Sequence, residues 1–199
     1  MILRFAVAAV LLAAPLAFPA PAAAQKASVD ALCRLHGIGQ EESIVRIRKA
    51  YAEAVDAGIS EDELHPFVED ILRHKLDCGQ MVRVLSAVAR LRRDDLPYFV
   101  VFSKVREGVA KEVPPALVVE VAEAKLKTLS AARDVLKSLG SAGYRTKDYR
   151  NAAVIVSSYI ERGYSARELV GEIRKKGIEG AGFAALSGVL EKPVKRKER

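Results

Sequence analysis

The chain has 199 residues, a formal net charge of +7, 50% hydrophobic and 29% charged residues, and no Trp. That charge content excludes a polytopic membrane protein, and the hydrophobic share excludes wholesale disorder. The length suits one good-sized domain or two small ones.

Residues 1–24 read as a secretory signal peptide. Arg4 supplies the positive start, Phe5 to Ala14 is a ten-residue apolar run, and Pro15, Pro19 and Pro21 follow it. The run is too short to span a bilayer. Ala22-Ala23-Ala24 is a small-residue cleavage site, which places the mature start at Gln25. The acidic residue in Asp30-Ala31-Leu32 before Cys33 does not suit a lipidation site. The expectation is a product of the periplasm or the exterior, with no membrane span in the mature chain.

From Ser28 onward, apolar residues recur at three- and four-residue spacing: Ile44, Ile47, Tyr51, Ala54 and Val55, then Met81, Val84, Leu85, Val88 and Leu91. This is the period of an amphipathic helix. Val118-Val119 and Val154-Ile155-Val156 are β-prone, but each lies inside a longer helical pattern. The predicted class is all-α, with nine helices near 28–36, 40–57, 61–74, 78–93, 98–111, 115–139, 147–162, 166–176 and 180–191. One domain, 25–192, would hold them all. The sixth is long enough to bridge two halves or run along both. Pro66 should kink the third, because it removes a backbone hydrogen bond. Residues 193–199 form a basic tail, read as disordered.

The junctions between helices repeat. Gly58-Ile59-Ser60-Glu61-Asp62-Glu63-Leu64 offers a left-handed glycine, a Ser60/Glu63 capping box and an Ile59–Leu64 hydrophobic staple. Gly163-Tyr164-Ser165-Ala166-Arg167-Glu168-Leu169 repeats the device. Asp77 and Gln80 form a third box, and prolines replace the polar cap at Leu96-Pro97 and Val113-Pro114-Pro115. Thr146 is the expected cap of the seventh helix. The staple residues Ile59, Leu76, Leu96 and Val113 are separated by 17, 20 and 17, giving a two-helix unit with a 37-residue period. Such periods mark stacked helical hairpins, either a short repeat array or an irregular bundle.

Cys33 and Cys78 are a candidate disulfide in an exported chain. It would close a loop of about 45 residues, worth roughly 4 kcal/mol in the chain-entropy model. There is no CxxC. An EF-hand centred on Gly58 fails: its ligand positions would be Glu53, Val55 and Ala57, and Leu64 stands where a bidentate glutamate is needed. His36, His65 and His74 lack metal-ligand spacing, and no HExxH, GxSxG or P-loop occurs. No cofactor is implied. Tyr144, Arg145, Tyr149, Arg150 and Arg162 form an aromatic-basic strip around the seventh helix, a candidate surface for an acidic partner, an anionic envelope polymer or lipid headgroups. Phe99 and Phe102 are core residues or the lining of an apolar groove. Export disfavours nucleic acid.

The expected role is an exported, non-catalytic helical scaffold that binds another envelope protein or peptide. A carrier of an apolar or lipid ligand is the alternative. An enzyme is the third, and the sequence supplies no residue set for one.

Overall fold

The fold is seen in a computed structural model, which describes residues 28–143, 146 and 148–175. All the regular elements among these residues are helices: α1 (Val29–Leu35), α2 (Glu41–Asp56), α3 (Glu61–Arg73), α4 (Cys78–Arg93), α5 (Phe99–Ala110), α6 (Pro115–Ser141), α7 (Tyr149–Glu161) and α8 (Ala166–Lys175). Each falls within two residues of its predicted span. The ninth predicted helix, the leader 1–24 and the tail 193–199 lie outside the described residues. The described residues hold eight helices. The β-prone valines of α6 and α7 are helical, buried or half-buried against their neighbours.

Five of the eight helices, α1, α3, α4, α7 and α8, start where a side-chain cap satisfies an orphan N–H group. Ser28 accepts from the Ala31 N–H at 3.2 Å. Asp77 and Gln80 form a complete capping box: the Gln80 N–H donates to Asp77 at 2.8 Å, and the Asp77 N–H to Gln80 at 2.9 Å. Ser165 and Glu168 do the same at 3.2 and 2.8 Å. The Ser60 box is only half formed. Its oxygen accepts from the Glu63 N–H, but the Glu63 carboxylate turns to two hydroxyls, those of Ser60 and Tyr98. Asp148, not Thr146, caps α7, accepting from the Asn151 N–H at 2.9 Å. Thr146 instead brackets that cap: its hydroxyl accepts from the Asp148 N–H and donates to the Asp148 carbonyl. α3 runs unbroken through Pro66.

Six of the helices, α1 to α5 and α7, end in one motif. The N–H two residues past the C-cap reaches back five positions, and the N–H before it closes a tighter loop inside. The pairs are Ile38 to Cys33, Ile59 to Ala54, Leu76 to Ile71, Leu96 to Leu91, Val113 to Gly108 and Tyr164 to Tyr159, at 2.8–3.3 Å. The turn residue is left-handed in every case. It is Gly37, Gly58 or Gly163 at three of them, and Lys75 (φ 61°), Asp95 (φ 55°) or Glu112 (φ 54°) at the others. A side chain there costs about 1–2 kcal/mol relative to glycine. The apolar residue that closes each turn is then buried or half-buried, Ile59, Leu76 and Leu96 almost completely.

Through α5, the heavier packing joins every second helix: α2 to α4, α4 to α6, and α3 to α5. α6 also carries α5, α7 and α8 along its length. One apolar core runs from Leu32 to Ile173, centred on side chains such as Phe67, Ile44, Ile47, Leu85 and Leu129.

Candidate functional site

The aromatic-basic strip was the strongest surface candidate in the sequence, and the fold pairs most of what it describes. Arg150, in the first turn of α7, donates to Asp95 at 2.7 and 3.2 Å. That bond holds the guanidinium more firmly protonated than usual. Asp95 also lies within 3.9 Å of Arg92. Tyr149 is half-buried against the core, and burial pushes its phenol above the ordinary value. Arg162 stacks on the Tyr159 ring at 5.3 Å, and Tyr159 meets Tyr164 edge-on at 5.8 Å. Tyr144 and Arg145 lie outside the described residues.

Tyr149 and Arg150 belong to a longer polar cluster at the ends of α2 and α4, the start of α7 and Arg133 of α6. The Arg92 Nε donates to the Gly58 carbonyl at 3.1 Å, and its guanidinium lies 6.0 Å from the Tyr98 ring centre. Gly58 sits at φ +94°, and a Cβ there would come within 3.3 Å of that guanidinium. Tyr98 donates to Glu63 at 2.9 Å. Burial first, and this hydrogen bond second, raise the Tyr98 phenol above its usual range. Arg133 of α6 pairs with Asp94 at the end of α4, both largely shielded from solvent. Positive and negative groups alternate in this polar cluster, so it presents no strong net field of either sign.

Apart from Arg150–Asp95, which spans 55 residues, the longer ties are of similar separation. Arg92–Gly58, Tyr98–Glu63, Arg106–Asp70, Lys125–Glu161, Arg133–Asp94 and Arg83–Glu123 span 34 to 40 residues. His74, at the end of α3, contacts the Val113 carbonyl at 2.6 Å across 39 residues. This position explains His74 as a tie between two helix junctions. Sequence spacing could not reveal these ties, because each partner lies a full hairpin pair away.

The Phe99 and Phe102 rings are divided. Phe102 is 7% exposed and stacks on Phe67 with ring centres 4.0 Å apart. Phe99 is 52% exposed on the outside of α5. Leu35, Val45, Leu117 and Val121 are the other large apolar side chains that reach solvent among the described residues. A shallow groove of about 370 Å³ lies between α6 and α8, lined by Asp134, Val135, Ser138, Ala166, Arg167 and Val170. Cys33 and Cys78 are free thiols in this structure, the first buried and the second half-buried. Among the described residues, no three His, Cys, Asp or Glu side chains are grouped to hold a metal ion, and no helix is long and apolar enough to cross a membrane.

No family model, curated protein or solved structure matches the chain.

Proposed function

We propose that this chain is an exported helical-repeat scaffold that works by binding a protein or peptide partner in the cell envelope. The supporting observation is the regularity of its ties. Packing between every second helix, one turn motif at six junctions and polar contacts one 34–40-residue step apart are what a stacked array of hairpins requires. Arrays of this kind offer an extended surface rather than a closed cleft, and the step from that architecture to partner binding is analogy at the level of the fold. The leader 1–24, read from Arg4, the apolar run and the Ala22–Ala24 site, is the ground for export.

A second reading is favoured by the α6–α8 groove. Its volume lies at the low end for small-ligand sites, and Val135, Ala166 and Val170 give it an apolar wall. An apolar ligand held there would make the protein a carrier.

Native mass spectrometry of the protein purified from its own cell envelope separates the two. The scaffold reading expects a co-purifying polypeptide that dissociates on activation. A retained lipid instead would select the carrier. A bare monomer would count against both. The N-terminal mass tests export separately: a start at Gln25 is expected, and an intact Met1 in envelope material would refute cleavage after Ala24.

A further inference from the structure

We propose that Cys33 and Cys78 form a disulfide site that ties the end helix α1 to the first turn of α4 and so closes the first hairpin pair of the array. Cys33 lies in the last turn of α1, and the chain reverses just after it, at Gly37, to enter α2. Cys78 is the first residue of α4. Its Sγ lies 3.5 Å from the carbonyl of Ser43, in the first turn of α2. At the other end of the same helices, Arg92 of α4 reaches Gly58 just past α2. α2 and α4 therefore run parallel, and the end of α1, the start of α2 and the start of α4 share one end of the molecule. Both cysteines also belong to one apolar cluster, Cys33 buried within it and Cys78 packed against it.

The chemistry agrees with this placement. Burial first, then the nearby Asp30 carboxylate and Cys78, push the Cys33 thiol up to about 11. Cys33 is therefore the sluggish partner, and the more accessible Cys78 reacts first. A donor disulfide, oxidised glutathione or the active-site disulfide of a thiol oxidoreductase, is attacked by the Cys78 thiolate. One donor sulfur leaves as a thiolate, and a mixed disulfide remains on Cys78. Cys33, having lost its proton to solvent, attacks the Cys78 sulfur and expels the second donor thiolate. Two thiols of this chain are oxidised, one donor disulfide is reduced, and the two protons released pass to the two donor thiolates.

Where the donor is met depends on the export reading, but the bond itself does not. Full-length protein, reduced and then incubated with oxidised glutathione, gives a direct test. The expected product is a monomer lighter by the mass of two hydrogen atoms, with no titratable thiol in denaturant. Its Tm should lie about 10 °C above that of the reduced form. Cys33→Ser should instead stop at a stable glutathione adduct on Cys78. Two thiols still titrating, glutathione adducts persisting on the wild type, or disulfide-linked dimers would each overturn the site. Localisation is read independently from the N-terminal mass, so a cytoplasmic protein that forms the bond in vitro would refute export alone.

Discussion

α2 and α4 are 16 residues long, while α6 has 27. The eleven extra residues are close to three full turns at 3.6 residues per turn. A helix lengthened by that amount keeps its buried stripe in phase, and Val118 and Leu129, eleven apart, are both buried. The two parts of the molecule differ on this account. From α1 to α5, short helices lean on their second neighbours. Beyond that, α7 and α8 both lie on α6 itself. Lys125 and Thr128 of α6 both meet Glu161 at the end of α7. The same junctions can therefore build either arrangement, and helix length decides which.

Substitutions can break this contrast, and the largest effect should come from the regular part. Phe67 is fully buried and stacked on Phe102, so Phe67→Ala should cost about 3–5 kcal/mol in denaturant unfolding. Leu169→Ala in α8 removes a smaller buried side chain near the end of the core. It should cost about 2–3 kcal/mol, and amide exchange should quicken in α8 before it does in α4. Equal acceleration in both helices would show that the two parts unfold as one.

The middle of α6 gives a stabilising change. The Ser130 hydroxyl is buried with no hydrogen-bond partner among the described residues. Ser130→Ala should raise stability by about 1–2 kcal/mol in the same titration. A loss would mean that this hydroxyl is satisfied in solution.

The left-handed turns sharpen the comparison further. Glu112→Gly relieves an exposed left-handed side chain between the two parts and should stabilise by about 1 kcal/mol. Asp95→Gly relieves the same strain but surrenders Arg150 and Arg92, so its gain should be smaller or reversed. Equal gains would remove Asp95 from the polar cluster. The smallest effect concerns Glu168. Bonds from Ser165 hold its carboxyl below the ordinary 4.5. A carboxyl lowered on folding adds stability above its unfolded value and loses it as pH falls through the lowered one. The protection factor at the start of α8, with the intrinsic pH dependence of exchange removed, should therefore fall as pH drops below that range, and Glu168→Gln should flatten the dependence.

Helix positions were legible from the sequence because periodicity, caps and glycines agree at most junctions. Lys75, Asp95 and Glu112 were not recognisable as left-handed, since nothing in their side chains demands it; the closing Leu76, Leu96 and Val113 impose it by being pulled into the core. Thr146 was a reasonable cap on residue type, yet Asp148 lies closer to the first periodic residue and its carboxylate is the stronger acceptor. The strip around α7 has a partner that its own stretch of sequence does not show. Arg150 looks unpaired because Asp95 is 55 residues distant, and only the fold brings them together. Phe99 and Phe102 differ in fate because three residues carry the helix just far enough for one ring to reach Phe67 and the other to miss it.

The long α6 also sets how force passes through the molecule. One unbroken rod is gripped by α4, α5, α7 and α8, and α4 and α7 hold the same middle stretch, α4 at Glu123 and Arg133 and α7 at Lys125. No loop interrupts it to act as a hinge. A partner pulling on α8 would load the contacts of α4 directly, so the far end of the array would feel a load placed on the near one as leverage rather than slack.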